Sequence, residues 1–402
     1  MSAQIISIFG STGSVGQSSL DVILQSNALQ EEPAFTVDTL VAGQDSEALA
    51  KQAIAVGARH AVVADAKRYE DLKQRLSGYD VEVAAGADAV RDAAMRPCYR
   101  HIAAIVGVAG LASTLAAIKA GNSVALANKE SLICAGALLK QEASKSGAKI
   151  IPMDSEHSAI FQVLQDRGDV ESLILTASGG PFLNTPTEAM AKMSVDEARA
   201  HPRWSMGLKI SIDSASMMNK ALEVIEAAYL FEKTADEIDV LVHPQSIVHS
   251  MVCYHDGSVL AQLGTPDMRT PIAYALSWPE KRIKTQVEKL DLAGLSRLDF
   301  ESVDSERFPA ISLAKQALRA GGCAPLILNV ANETAVAAFI SGACGFMDIS
   351  YIVDSTLEQF SHRGFGHSAP LSLKEITALN REGEEVARKL LGERCLQMPG
   401  AH

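Results

Sequence analysis

The chain has no excess of positive charge: 36 lysines and arginines stand against 48 aspartates and glutamates, for a formal net charge of −12. A field of that sign repels phosphate, which excludes general affinity for nucleic acid or an anionic membrane surface. An anionic ligand therefore needs locally concentrated positive groups. Paired cysteine motifs are also missing. The six cysteines are scattered with no C-x-x-C spacing, the pattern of thiols in a reducing compartment rather than of a disulfide framework. No uninterrupted apolar run approaches membrane-spanning length. The chain enters an apolar run at Gln4-Ile5-Ile6-Ser7-Ile8-Phe9, without the basic start and long apolar core of a signal peptide. The expectation is a cytoplasmic protein. What the chain does have is core-forming residues, 48% of its 402 positions, enough for roughly two to three domains and too many for disorder.

As far as residue 150, short apolar runs at 5–9, 35–41, 61–64, 81–84, 102–106, 124–127 and 150–153 alternate with Ala-rich amphipathic stretches. That alternation predicts an N-terminal Rossmann-like α/β domain, doubly wound on a largely parallel sheet, over residues 1–150. The texture then changes. Runs at 173–176 and 208–212 read as strands, separated by a long segment, about 178–208, that reads as a lid. Residues 216–231 read as an amphipathic helix, and runs at 240–254 and 258–263 flank Asp256-Gly257, a hairpin signal. A central α/β catalytic domain with a partly antiparallel sheet is expected over 151–285, a connector over 286–310 and a C-terminal helical bundle over 311–402.

Gly10-Ser11-Thr12-Gly13-Ser14-Val15-Gly16 follows the first strand and opens a helix. Glycines there allow a tight turn and close backbone approach, and the helix start offers N–H groups to a pyrophosphate. After the second strand comes Ala42-Gly43-Gln44-Asp45, where a ribose or its 2′-phosphate would lie. Asp45 suits a ribose hydroxyl, and no adjacent residue is basic, which leaves the choice between NAD and NADP open.

Asp154-Ser155-Glu156 ends the seventh run, where extended chain would turn Asp154 and Glu156 to one face. Exposed loop acids are the alternative. Asn219, Lys220 and Glu223 share a predicted helix, and three carboxylates without Cys or His partners suit a hard cation, Mg²⁺ or Mn²⁺. Spacing alone does not join Glu223 to the other two acids. Ser214 and Ser216 are plausible helix caps, and with Asn219 and Lys220 they equally suit a phosphate site, to which Ser178 would add a hydroxyl. Lys129, at the end of the sixth run, falls where open α/β sheets bind ligands. His243 and His249 have no third ligand at suitable spacing and read as polar strand residues facing a cleft, not as a zinc site.

Together these segments resemble the 1-deoxy-D-xylulose 5-phosphate reductoisomerase family. The matching blocks are residues 10–16 above, 127–131 (Ala-Asn-Lys-Glu-Ser), 153–157 (Met-Asp-Ser-Glu-His), 176–182 (Thr-Ala-Ser-Gly-Gly-Pro-Phe), 201–207 (His-Pro-Arg-Trp-Ser-Met-Gly), 213–220 (Asp-Ser-Ala-Ser-Met-Met-Asn-Lys), 243–249 (His-Pro-Gln-Ser-Ile-Val-His), 264–271 (Gly-Thr-Pro-Asp-Met-Arg-Thr-Pro) and 329–333 (Asn-Val-Ala-Asn-Glu). They run in family order across about four fifths of the chain.

The resemblance implies reductive isomerisation of 1-deoxy-D-xylulose 5-phosphate to 2-C-methyl-D-erythritol 4-phosphate with NADPH, a step of the non-mevalonate route to isoprenoids. It implies Asp154, Glu156 and Glu223 as ligands of Mg²⁺ or Mn²⁺, with Lys129, Glu156 and Glu223 in catalytic roles. Lys129, Ser155 and Glu156 would meet the oxygenated carbons, and Ser178, Ser214, Asn219 and Lys220 the phosphate. His201 would touch substrate under Trp204 in the lid, while Thr12, Gly13, Ser14, Val15, Gly43, Asn128, Glu130 and Gly207 would contact NADPH. A homodimer is also implied.

Four positions depart from the family pattern: Gln44-Asp45 in place of a basic residue and Asn, Arg203 in place of Asn, and Ala221 in place of Gly. Two rival readings use other chemistry. A semialdehyde-type dehydrogenase would need Cys134 as nucleophile beside a base, and a non-catalytic dinucleotide sensor would leave the three carboxylates idle.

Overall fold

The computed structural model describes residues 3–200, 207–366 and 369–397, and the chain divides into two compact units. The first comprises residues 1–131, 138–161 and 267–289, the second residues 132–137, 162–266 and 290–402. The division does not follow the sequence boundaries at 150 and 285. Residues 267–289 return to the first unit, in which the helix Arg269–Ser277 buries Ile272 and Leu276 in the same core as Ile151 and Met153.

The first unit alternates strand and helix in chain order: β1 (Gln4–Phe9), α1 (Ser14–Ala28), β2 (Phe35–Ala42), α2 (Ser46–Val56), β3 (His60–Val63), α3 (Tyr69–Arg75), β4 (Glu82–Ala85), α4 (Ala87–Ala94), β5 (Arg100–Ala103), α5 (Leu111–Lys119), β6 (Val124–Leu126), α6 (Lys129–Ser146), β7 (Ile150–Pro152) and the start of α7 (Ser155–Val163). All seven strands pair in parallel, in the order β4-β3-β2-β1-β5-β6-β7. Helices on both faces bury these strands, which is why they read as continuous apolar runs rather than as alternating ones. Ile6, Ile8, Leu40, Val63 and Ile102 form the core with Leu20 and Ile23 of α1 and Leu49 of α2. Truncating such a side chain to alanine costs about 2–5 kcal/mol. The order reverses between β1 and β5, and the crevice at that reversal lies beyond the carboxyl ends of the strands.

The second unit continues through β8 (Val170–Ala177), α8 (Thr187–Met190), α9 (Val195–Arg199), α10 (Leu208–Ala215), α11 (Met218–Phe231), β9 (Ile238–Val242), β10 (Val248–Tyr254) and β11 (Val259–Leu263). After α12 (Arg269–Ser277), which packs in the first unit, come α13 (Leu292–Leu295), β12 (Glu301–Ser302), α14 (Ala310–Ala320), α15 (Ala324–Ile340), α16 (Asp348–Ser361) and α17 (Leu373–Gln397). Its sheet has the order β11-β10-β8-β9-β12; β8 and β9 are parallel and the other pairs antiparallel. The mixed sheet and the helical C-terminal part match the expectation.

Four local expectations are corrected. Residues 208–212 form the start of helix α10, not a strand. Their apolar alternation fits either period, but Lys209 pairs with Asp213 at 2.9 Å, and the Ser211 amide bonds to the Gly207 carbonyl at 3.0 Å, contacts that need helical spacing. The helix expected from 216 starts at Met218, after Met217 in the left-handed region at φ 61°. Residues 240–254 are two strands with opposite directions. Pro244 cannot donate to a ladder, and Ser246 at φ 54° turns the chain between them. The connector 286–310 contains β12, which pairs with Leu241 and Val242 of β9.

Candidate active site

The glycine turn lies between β1 and α1. A Cβ on Gly10 would sit 2.4 Å from the Ala104 carbonyl oxygen of the neighbouring strand end, and one on Gly16 would sit 2.3 Å from the Gly10 carbonyl oxygen. Close packing of turn, helix and sheet therefore requires glycine at both positions. The N-cap Gly13 supplies no side-chain bond, and the first turn of α1 has no acidic residue. Thr12 and Val15 are half-buried, and Gly13 and Ser14 are exposed. The helix start is open to an anion.

Across the strand-order reversal, residues 105–110 leave β5. Asn128 controls this loop: its amide nitrogen donates to the carbonyls of Ile105 and Gly107 (the latter at 2.8 Å), and its oxygen accepts the Ser131 amide at 2.6 Å, capping α6. Gly110 packs so tightly that a Cβ would meet the Asn128 amide nitrogen at 2.8 Å. The sequence reading missed this loop. Its signal was Gly107 and Gly110 after an apolar run, with nothing in its side chains to mark it.

Lys129 and Glu130 open α6, and Glu130 is buried. The Lys129 ammonium lies 2.9 Å from the Asp154 carboxylate. Asp154 follows β7, and its carboxylate accepts the Ser155 amide at 3.0 Å, while its carbonyl accepts the Ser158 amide at 2.8 Å to start α7. Ser155 donates its hydroxyl to Glu156. Glu156 therefore stands in the first turn of a helix, not in extended chain, and the strand-face argument linking it to Asp154 does not hold. At the tip of β2, Gly43 is unobstructed, but Asp45 caps α2 by accepting the Ala48 amide at 2.9 Å.

In the second unit, of the residues expected to meet a phosphate, Ser178 follows β8, Ser214 lies on α10, and Asn219 and Lys220 lie on α11. Gly180, at φ 67°, packs against the last turn of α10, where a Cβ would lie 2.6 Å from the Ser214 carbonyl oxygen. The Ser178 hydroxyl accepts the Gly180 amide at 3.3 Å. Ser214 lies inside α10, and Ser216 donates to the carbonyls of Ile212 and Asp213. Ser214 does not cap α11, whose N-cap position falls on Met217, but the Ser216 hydroxyl accepts the Met218 amide at 3.4 Å. Asn219 donates to one Glu223 carboxylate oxygen at 2.5 Å and the buried Lys220 ammonium to the other. Gly207 caps α10 and is exposed. Asp213, fully buried, takes the Lys209 ammonium and the Asn332 amide at 2.9 Å each, which ties α10 to α15. This tie was not foreseen, although both residues lie in family-matching blocks.

The entry to the expected lid is packed. Phe182 meets Phe346 edge-on at 5.0 Å, Arg307 donates to the carbonyls of Leu183 and Thr185, and Met190 and Ala198 are buried. His201, Arg203 and Trp204 lie outside the described residues. His243 does not face a cleft: it is fully buried, stacks on Phe300 at 4.6 Å, contacts the Asp299 carbonyl through Nδ1 at 2.8 Å and accepts the Ile247 amide at Nε2. Cys134 is buried with the Asn329 amide on its sulfur at 3.7 Å, a packing thiol rather than an exposed nucleophile.

Three family models match the chain: 1-deoxy-D-xylulose 5-phosphate reductoisomerase over residues 6–136, its C-terminal domain over 150–231, and DXP reductoisomerase C-terminal domain over 263–386. The curated 1-deoxy-D-xylulose 5-phosphate reductoisomerase of Rhodospirillum centenum is 55% identical over 359 residues, 89% of this chain and 88% of that protein. The one from Zymomonas mobilis is 47% identical over 388 residues, 96% and 97% of the two. Among solved structures, the Zymomonas mobilis enzyme in complex with NADPH superposes with a TM-score of 0.90 at 46% identity, covering 97% of this chain and 99% of that one. A DOX-P reductoisomerase in complex with NADPH, fosmidomycin and magnesium gives 0.89 at 41% identity, over 97% and 98%. With its glycine turn, acid-bearing strand end and α10–α11 pair matched along nearly the whole length, this chain belongs to the 1-deoxy-D-xylulose 5-phosphate reductoisomerase family.

Proposed function

We propose that the chain converts 1-deoxy-D-xylulose 5-phosphate to 2-C-methyl-D-erythritol 4-phosphate, using NADPH and a divalent cation, Mg²⁺ or Mn²⁺, in isoprenoid precursor synthesis. The observation that carries this is family membership along the chain, together with relatives whose structures contain NADPH and magnesium. The residues fit both groups. The start of α1 is uncapped, free of acids and bordered by glycines without room for a Cβ. Asp154, Glu156 and Glu223 would offer oxygen donors alone, the kind preferred by a hard cation.

Residues 1–150 would hold NADPH, 151–285 the reacting centre and lid, and 311–402 the supporting helices beyond the connector. When bound, the cation supplies Lewis-acid polarisation of neighbouring substrate oxygens, and NADPH supplies reducing equivalents. Thr12, Gly13, Ser14, Val15, Gly43, Asn128, Glu130 and Gly207 would position NADPH. Asp154, Glu156 and Glu223 would hold the cation. Lys129 would orient a substrate oxygen and lend positive charge as negative charge develops there. Ser155 would fix the Glu156 carboxylate, the bond it makes in this structure. Ser178, Ser214, Asn219 and Lys220 would grip the phosphate, remote binding that supplies energy for alignment. His201 and Trp204 would cover the carbons and exclude water.

We also propose a cytoplasmic homodimer. No helix among the described residues is long and apolar enough to cross a membrane. Strand β11 ends its sheet with Val259 and Leu263 exposed, and offers an unpaired edge to a second copy. The functional test is NADPH oxidation, followed by absorbance, with deoxyxylulose phosphate in chelator-treated enzyme and after Mg²⁺ or Mn²⁺ is restored. Metal-dependent oxidation with formation of the branched polyol phosphate is expected. Oxidation indifferent to metal, or none with this substrate, would defeat the reading.

A further inference from the structure

We propose that Lys67 and Arg68, on the turn after β3, read the 2′-phosphate of NADPH in this chain. The inference rests on the NADPH reading above and explains how it can hold without a basic residue at the tip of β2. Gln44 and Asp45 carry no positive charge, and sequence neighbours offer none. The sheet supplies what the sequence order hides. β2 and β3 are parallel neighbours, with Ala42 opposite Val63, and the ladder continues past both ends: the Ala64 amide bonds to the Ala42 carbonyl at 2.8 Å and the Asp65 amide to the Gly43 carbonyl at 3.0 Å. Gly43 is thus one hydrogen bond from the turn that carries Lys67 and Arg68.

That turn is built to hold its backbone in place. Asp65 caps it, accepting the Lys67 amide at 3.0 Å, and the Arg68 amide bonds to the Asp65 carbonyl at 2.9 Å. Both basic side chains are exposed and, among the described residues, make no ion pair or hydrogen bond, so their donors remain available. Three of the nearby acids are engaged elsewhere. Asp45 turns into its own helix as the α2 cap, and Asp71 takes the Ser46 hydroxyl and the Arg75 guanidinium at 3.1 Å. Glu47 pairs with Lys51 at 2.7 Å, while Glu70 is exposed on α3. Asp71, three residues after Arg68, accepts the Ser46 hydroxyl, which ties the start of α3 to the Gln44-Asp45-Ser46 stretch. Guanidinium and ammonium groups are the side chains that discriminate a phosphate monoester from a ribose hydroxyl, and Gln44 adds an amide donor.

The test is equilibrium binding to the full chain and to the double variant Lys67→Ala/Arg68→Ala. The probes are NADPH, NADH, adenosine 2′,5′-bisphosphate and AMP, titrated by calorimetry or by nicotinamide fluorescence. Loss of charge-assisted phosphate contacts should weaken the two 2′-phosphorylated ligands about tenfold or more, with NADH and AMP within about twofold of their original values. A variant with an unchanged melting curve and undiminished discrimination overturns the proposal, as does an equal weakening of all four ligands. Failure of the unaltered chain to bind NADPH at all would instead defeat the functional reading, and this inference with it.

Discussion

Replacing Asn128 with alanine should loosen the loop at the strand-order reversal without touching the glycine turn. Asn128 is 3% exposed and makes three bonds: it accepts the Ser131 amide and donates to the Ile105 and Gly107 carbonyls. Loss of a helix N-cap costs about 1 kcal/mol. The two carbonyls belong to half-buried residues that water can partly reach, so their loss adds about 1 kcal/mol rather than the full penalty for two buried acceptors. The expected destabilisation is about 2 kcal/mol. Asn128→Asp separates the contributions: it retains an acceptor for Ser131 but sets a carboxylate against two carbonyl oxygens, so it should be as damaging as alanine or worse despite an intact cap. Urea unfolding followed by circular dichroism gives the stabilities, and NADPH titration reads the loop. Affinity for NADPH should fall in both variants, since the loop borders the site across the reversal. If Asn128→Ala lost less than about 0.5 kcal/mol and bound NADPH normally, the clamp would be a bystander.

Gln44→Arg should tighten NADPH more than NADH, because only NADPH gains a charge-assisted phosphate contact; equal changes in the two dissociation constants would show that this turn does not read the 2′ position. Stability should fall in acid partly through His101. Burial against Phe9 pushes its pKa down to about 3, so the native state keeps it neutral while the unfolded chain takes up a proton below about 6.5. Its contribution is intact above that pH and is lost at about 1.4 kcal/mol per pH unit as pH falls toward 3. His101→Leu should therefore flatten the urea-midpoint profile between pH 6 and pH 4 by about one proton's worth, and an unchanged slope would remove His101 from the explanation.

Much of the first unit was legible because the inner strands of its sheet are buried on both faces and the glycine turn sits where the first strand ends. The order of those strands was not legible, and with it went the neighbourhoods that matter most. Lys67 and Arg68 are more than twenty residues from Gly43 in sequence, and only the parallel β2–β3 ladder brings them beside it. The 105–110 loop escaped notice because it contributes backbone carbonyls and glycines rather than chemistry-bearing side chains. In the second unit, Leu208, Ile210 and Ile212 alternate as a strand would, but the Lys209–Asp213 pair and the Asn332 tie hold them in a helix. The acids at 154 and 156 were singled out by a strand-face argument that α7 invalidates. Their residue type and the resemblance, not that geometry, support them as ligands.

The proposal to test first is that Glu156 and Glu223 serve a single cation. Its most direct test is turnover with Mn²⁺, measured for Glu156→Gln, Glu223→Gln and the double variant, with Mn²⁺ retention read by electron paramagnetic resonance. If both carboxylates serve one ion, each single change should lower kcat by orders of magnitude and weaken Mn²⁺ retention, while NADPH binding stays near normal. The double variant should then be little worse than either single one, because groups that act as a unit are not additive. Multiplicative losses, or full Mn²⁺ retention and near-normal turnover in either single variant, would contradict a shared site.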